Sequence, residues 1–203
     1  MEAPEANHPP SAAPRAPGDG WLAEIERVDQ ALYDAIAATP TPKLDGAMRA
    51  LSNAADYSRL SISAAAVLAL TGSARGRRAA VDGLASVTVT ATLVNLVVKP
   101  LGRRRRPNRA ASAVPSDRQV TMPRSRSFPS GHSAAAVAFA AGASRDLPVA
   151  GPPLYLLATA VSYSRLHTGV HFPGDVLAGA LIGLALANFT TSALAERWPY
   201  PDA

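Results

Sequence analysis

Long stretches of alanine, valine and leucine, separated by short polar or basic segments, dominate the chain from Ala54 to Leu194. A helix needs about 20 mostly apolar residues to cross a bilayer. Several stretches reach or approach that length, and they are rich in the small residues found where membrane helices pack tightly. The pattern therefore predicts an all-α, integral-membrane helical bundle with about five transmembrane helices. The expected spans are Ala54–Gly72, Ala79–Val98, Ser133–Ala143, Leu147–Tyr163 and Gly174–Leu194.

A soluble helical bundle with alanine-rich core helices is the alternative, because some of these stretches are short for a span. The chain contains no cysteine, which excludes disulfides and thiolate metal sites. The first apolar stretch lies far from Met1, so we expect insertion through an internal helix and not through a cleaved signal peptide.

The remainder of the chain divides into flanking segments. Residues 1–20 are rich in proline, alanine and charge, and we expect a disordered tail there. Residues 21–53 are expected to form amphipathic interfacial helices, since Trp21–Ala38 repeats apolar residues at helical spacing. This helix either lies in the membrane interface or packs on its own domain. Residues 54–194 form the expected transmembrane core, and 195–203 form a short C-terminal tail.

The basic residues are clustered beside apolar stretches. The net charge is +5, and the clusters lie at Arg75–Arg78 and between Lys99 and Arg126. This placement is typical of membrane-flanking and anion-binding charge. We therefore expect a lipid bilayer and an anionic lipid as partners, and no nucleic acid. Arg103–Arg105 are interpreted as a solvated segment that meets lipid headgroups.

Three polar segments stand at the ends of predicted spans. They are Lys99–Pro107, Pro129–His132 and Ser164–Asp175. Because consecutive spans run in opposite directions, all three are expected on the same side of the membrane.

These segments together carry the groups that a phosphate ester requires. Lys99, Arg106 and Arg165 supply cations for the phosphate oxygens. The turn Ser130-Gly131-His132 begins a helix, where free amides favour an anion. His132 and His171 supply two histidines, one for a nucleophile and one for a proton donor. Pro173 is expected to begin a helix, which leaves Asp175 in its first turn and within reach of His171.

A zinc site is an alternative interpretation of the same histidines. His132, His167, His171 and Asp175 are all possible zinc ligands. The neighbouring arginines and lysine would repel a dication, however, and they suit an anion. We therefore expect no metal and no cofactor, and we interpret His167 as a residue that packs in the core or supports the site without taking part in catalysis.

The same segments resemble the signature of the type 2 phosphatidic acid phosphatase superfamily. Its pattern is Lys, six residues, then Arg-Pro; Pro-Ser-Gly-His; and Ser-Arg, five residues, His, three residues, Asp. All three parts occur in order between Lys99 and Asp175. The resemblance implies a metal-independent lipid-phosphate phosphatase that forms a phosphohistidine. The resemblance implies that His171 is the nucleophile, that Asp175 supports it, and that His132 acts first as an acid and then as a base. The residues that it implies for phosphate binding are Lys99, Arg106, Ser130, Gly131 and Arg165.

The same residues are compatible with other activities. The site suits a lipid phosphotransferase equally well, and a vanadium haloperoxidase or a non-catalytic protein that binds acidic lipids fits less well. The substrate is expected to be a phosphate monoester or diphosphate of a polyprenyl lipid or a glycerolipid. The expected location is a bacterial inner membrane, crossed several times. Of the 20 lysines and arginines, 15 fall on the motif side and 5 on the other, which favours a cytoplasmic site.

Overall fold

The computed structural model describes residues 20–198, which contain seven helices and no strand. The expected disordered tail, apart from Gly20, and the last five residues of the expected C-terminal tail lie outside the described part of the chain. The helices are α1 (Trp21–Ala38), α2 (Pro42–Ala54), α3 (Arg59–Leu70), α4 (Ala74–Leu101, with a π-helical turn at Val94–Val98), α5 (Gly131–Asp146), α6 (Gly151–His167) and α7 (Pro173–Arg197).

Local chemistry sets where the site helices begin and end. The Ser130 side chain caps α5 by accepting a hydrogen bond from the Ser133 amide. Pro173 is the first residue of α7, as predicted, because its missing N–H and fixed φ suit a first helical turn. Gly169 follows α6 with a φ of 69°, a left-handed conformation that favours glycine at a helix end.

Helix α5 lies at the centre of the bundle and packs against α4, α6 and α7. Its alanines form a tight core with Phe139, and this core includes Ala79 and Val87 of α4. The backbones of α5 and α7 approach each other closely because α7 carries glycines at the contact. A Cβ at Gly179 would collide with the carbonyl oxygen of Ser130, which begins α5. This contact fixes the first turn of α5 against the first half of α7.

Helix α1 has the predicted bounds, but its apolar stripe does not pack on the rest of the protein. Trp21, Leu22 and Ile25 are exposed, at 72%, 60% and 55%. The opposite face, with Asp29 and Tyr33, is buried instead. Helix α1 thus packs on its own domain through this opposite face, where Tyr33 contacts Phe172. The location of its exposed apolar stripe in the membrane interface stays a prediction.

Within the described residues 20–198, two helices are long and apolar enough to cross a membrane. Helices α4 and α7 have segments with mean hydropathies of 1.7 and 1.6. Helices α3, α5 and α6 have only 12, 16 and 17 residues. The number of five spans therefore stays a prediction.

The predicted first span is wrong at its beginning. Helix α2 ends at Ala54, and a short 3₁₀ turn, Asp56–Ser58, separates it from α3. Tyr57 and Ser58 both have a φ of 57° in this turn. L residues rarely adopt that conformation, so the backbone of α2 does not continue into α3.

Candidate active site

The three polar segments meet at one end of the bundle, as the alternating direction of the helices predicts. Helices α4 and α6 end there, and α5 and α7 begin there. The Ser130 amide donates a hydrogen bond of 2.9 Å to the carbonyl oxygen of Asp175, which joins the first turns of α5 and α7 directly.

His171 and Asp175 form the buried part of the site. His171 is 1% exposed in the turn before α7, and its Nδ1 lies 3.4 Å from Oδ2 of Asp175. The same carboxylate oxygen accepts hydrogen bonds from the Phe172 amide and from the Ser127 hydroxyl. Asp175 is thus held in place independently of the histidine that it faces.

Arg106 fixes the protonation of His171. Its Nη1 lies 3.2 Å from Nε2 of His171 and also donates to the carbonyl oxygen of Val170. Arginine only donates hydrogen bonds, so Nε2 must accept, and the ring proton is therefore assigned to Nδ1 on the side of Asp175. Burial lowers the pKa of His171 to about 4. The imidazole is consequently neutral at pH 7, with the lone pair of Nε2 directed at a cation.

The three predicted cations lie together without carboxylate partners. Lys99 Nζ lies 3.5 Å from the Ser125 hydroxyl, and Arg106 also donates to Ser125. Arg165 donates to the hydroxyl of Ser52 at 2.6 Å, while its buried Nε has no hydrogen-bond partner among residues 20–198. Within that range none of the three cations forms a salt bridge. A group of unneutralised cations with an unused donor suits an anion.

A cavity of about 630 Å³ opens beside these cations. Lys99, Gly131, His132 and Arg165 contribute to its wall, whereas His171 and Arg106 do not line it. One part of the remaining wall is polar and another is apolar. The polar residues include Asn53, Asp56, Ser58 and Asn95, and the apolar ones include Leu60, Ala135, Ala136 and Val161.

His132 faces a carboxylate that the sequence analysis missed. Its Nε2 lies 2.8 Å from Oδ1 of Asp56, in the turn between α2 and α3. Asp56 fell inside the predicted first span and belongs to no motif. A charged residue within an apparently apolar span is the signal that could have identified it.

Arg104 corrects the interpretation of the arginine-rich segment. It donates to Asp175 Oδ1 at 3.1 Å, forms a salt bridge with Asp29 and lies 4.1 Å above the ring of Phe172. Arg103 and Arg105 are exposed, as expected. Arg104 is therefore part of the support of the site, and it ties α1 to α7.

The three histidines that suggested zinc bind three different carboxylates. His132 faces Asp56, and His171 faces Asp175. His167 bonds to Asp45 at 2.9 Å in a separate buried group that also contains Arg118. The histidines thus do not converge on one point, and His167 lies outside the site, in agreement with its interpretation as a packing or supporting residue.

Comparison with known proteins identifies a matching family and similar mycobacterial proteins. The family model of the PAP2 superfamily matches residues 80–199. The chain is 36% identical over 104 residues to the decaprenylphosphoryl-5-phosphoribose phosphatase of Mycobacterium tuberculosis, a match that covers 49% of this chain and 52% of that protein. It is 35% identical over 131 residues to the protein of the same name in Mycolicibacterium smegmatis, covering 64% and 68%. The match thus spans about half the length of the M. tuberculosis relative.

Two crystal structures share the fold. One is a transmembrane PAP2-type phosphatidylglycerolphosphate phosphatase from Bacillus subtilis, with a TM-score of 0.65, 24% identity, and coverage of 88% of this chain and 90% of that one. The other is LpxE of Aquifex aeolicus, with a TM-score of 0.64, 25% identity, and coverage of 81% and 95%.

Proposed function

The chain belongs to the PAP2 superfamily, and from this premise we propose that it is a multi-pass phosphatase of a bacterial inner membrane, which hydrolyses a lipid phosphate through a phosphohistidine on His171. One observation carries the proposal. Three cations lie together without salt bridges among residues 20–198. One of them, Arg106, contacts Nε2 of a neutral histidine, which can act as a nucleophile once Arg106 turns to the phosphate.

The phosphate is held by Lys99, Arg106 and Arg165, with the first turn of α5 at Ser130 and Gly131. Arginine forks and backbone amides match the equatorial oxygens, where charge concentrates during phosphoryl transfer. Arg106 has a second role, because it covers Nε2 of His171 in the unliganded site. When its guanidinium binds phosphate oxygens instead, the nucleophile becomes accessible.

In the first step Nε2 of His171 attacks phosphorus. A P–N bond forms, the P–O bond to the lipid hydroxyl breaks, and His132 donates a proton to the departing oxygen. Positive charge develops on the imidazole of His171. Asp175 stabilises that charge through Nδ1–H, and its fixed bonds to Phe172 and Ser127 keep it in position.

In the second step water hydrolyses the phosphohistidine. His132, now neutral, takes a proton from the water as its oxygen attacks phosphorus. The P–N bond breaks, inorganic phosphate leaves and His171 returns to its neutral form. Side chains and backbone amides supply the charge stabilisation throughout, so we propose that the reaction needs no metal and that activity survives chelators. We also propose that orthovanadate inhibits by binding at the phosphate site.

The mixed character of the cavity favours a phosphosugar carried on a polyprenyl lipid. Its polar wall offers hydrogen bonds to sugar hydroxyls, and its apolar wall suits an isoprenoid chain. The names of the mycobacterial relatives point to the same class. Glycerolipid phosphates would use the polar wall less fully.

The test is phosphate release by the purified protein from a panel of lipid phosphates. We expect wild-type activity in EDTA, no turnover by His171→Ala, and wild-type activity in His8→Ala, a matched change at a histidine outside the three motifs. His132→Ala should accumulate phosphoenzyme with substrates whose leaving group needs little protonation. Full activity of His171→Ala would contradict the mechanism. Transfer of phosphate to an added alcohol in preference to water would identify a phosphotransferase instead.

A further inference from the structure

Asp56 is the only carboxylate among the described residues that line the cavity. It reaches His132 from the turn between α2 and α3, with 2.8 Å between Oδ1 and Nε2. The other charged groups around His132 are Lys99 at the end of α4 and Arg165 on α6, and both are cations. Among residues 20–198, His132 therefore has a single negative neighbour, and its other charged neighbours are cations.

The turn that carries Asp56 has an unusual backbone. The two residues after Asp56, Tyr57 and Ser58, are both left-handed, each with a φ of 57°. Non-glycine residues persist in this region only where the surrounding structure requires it, and such residues concentrate at functional sites. In this turn the conformation separates α2 from α3 and leaves Asp56 beside His132.

We propose that Asp56 is a positioning residue for His132, an inference that rests on the proposed phosphatase mechanism. Nε2–H of His132 donates to Asp56, which leaves Nδ1 for the substrate. Within residues 20–198 Nδ1 has no hydrogen-bond partner. Nδ1 thus donates the proton to the leaving oxygen in the first step and accepts one from water in the second, while the carboxylate holds the ring in one tautomer.

The carboxylate also favours the protonated form of His132. Burial lowers the pKa of His132 to about 4, the charges of Arg165 and Lys99 add to this, and the hydrogen bond and charge of Asp56 oppose it. Without Asp56 the ring would be less often protonated at neutral pH and free to rotate. Both steps that use His132 would then slow, but attack by His171 on a substrate with a good leaving group would not.

The experiment compares Asp56→Asn with wild type on two substrates. One is a lipid phosphate with an alcohol leaving group, and the other is p-nitrophenyl phosphate, whose leaving group needs no proton. We expect turnover of the lipid to fall at least ~10-fold. With p-nitrophenyl phosphate we expect a burst of nitrophenolate close to one per enzyme, followed by slow turnover and accumulation of phosphoenzyme. The descending limb of the pH–rate profile should move to lower pH.

Asp117→Asn is the matched control, because Asp117 is exposed at the same end of the protein and lies outside the cavity. It should behave as wild type. Equal losses on both substrates, with no burst and an unchanged pH profile, would mean that Asp56 is only structural. Wild-type behaviour of Asp56→Asn would mean that Asp56 has no role. Either result overturns the inference while the phosphatase activity stands. If the wild-type protein released no phosphate from any lipid phosphate, the proposed function would fail, and the inference with it.

Discussion

At the scale of single residues, the site depends on how Asp175 is held. Its side chain is fully buried, and a buried carboxylate is costly unless it is paired and hydrogen-bonded. The Phe172 amide, Ser127 and Arg104 supply three such bonds besides His171. In the proposed mechanism Asp175 therefore does not need to move when charge develops on the histidine, which is the condition for electrostatic stabilisation without reorganisation.

The contact between the proposed catalytic residues could be predicted from the sequence, but the contacts that support them could not. His171 and Asp175 are four residues apart, so a helix start at Pro173 is enough to predict their contact. Ser127 and Arg104 lie 48 and 71 residues before Asp175. Their contacts depend on the path of the segment between α4 and α5, which has no periodic pattern. The contact of Asp56 with His132 could not be predicted either, because Asp56 lies in a turn that interrupts an apolar stretch.

The burial of His171 leads to a prediction about pH. Burial lowers the pKa of His171 to about 4, the hydrogen bond to Asp175 opposes this, and the charge of Arg106 adds to it. An unfolded histidine titrates near 6.5. As the pH falls below about 6.5, the unfolded chain takes up a proton before the folded protein does. The contribution of His171 to stability is therefore present above that pH and is lost as the pH falls towards about 4.

Thermal unfolding in detergent and ¹⁵N-histidine NMR check this. We expect the ring of His171 to stay neutral at pH 5, and the melting temperature of His171→Gln to fall less steeply with acidification than that of wild type. His8→Gln should keep the wild-type slope. A His171 ring that titrates near 6.5 would contradict the burial argument.

At the scale of helices, α1 has an uneven distribution of contacts. Its bounds and its amphipathic pattern could be predicted, because both follow from spacing within one segment. Which face it buries could not be predicted from that spacing. The buried face is held by polar contacts, with Asp29 bonded to the Gly174 amide and to Arg104, and Tyr33 to the carbonyl oxygen of Gly169. Those partners are remote in sequence.

We predict that the exposed apolar face of α1 lies in the membrane interface. Trp21 and Trp198 are the only tryptophans, so Trp198→Phe leaves Trp21 as a single reporter and Trp21→Phe is the reciprocal variant. In brominated lipids, Trp21 fluorescence should be quenched most by bromine near the headgroups and least by bromine at the bilayer centre. Quenching of Trp21 by aqueous acrylamide alone, with no effect of brominated lipid, would contradict this placement.

At the scale of the whole molecule, the two ends of the bundle differ in charge and in task. The site end carries the ends of α4 and α6 and the beginnings of α5 and α7. At the other end Arg78 of α4 reaches Asp146 of α5 and the carbonyl oxygen of Trp198 after α7. Among residues 20–198, helix order assigns 14 lysines and arginines to the site end and 5 to the other end. Which helix ends lie together could be predicted from the sequence, because consecutive helices run in opposite directions.

The asymmetry of charge predicts a cytoplasmic site, because lysine and arginine near span ends are enriched on that side. Lys99, Arg106 and Arg165 are reserved for phosphate and carry little weight in this count, yet the excess persists without them.

The chain has no cysteine, so single cysteines report orientation without background. Ser116 is exposed at the site end, and Val149, 80% exposed between α5 and α6, marks the other end. In intact cells a membrane-impermeant thiol reagent should label Val149→Cys at once and Ser116→Cys only after permeabilisation. The reverse pattern would place the site on the outer face of the membrane, and its substrate with it.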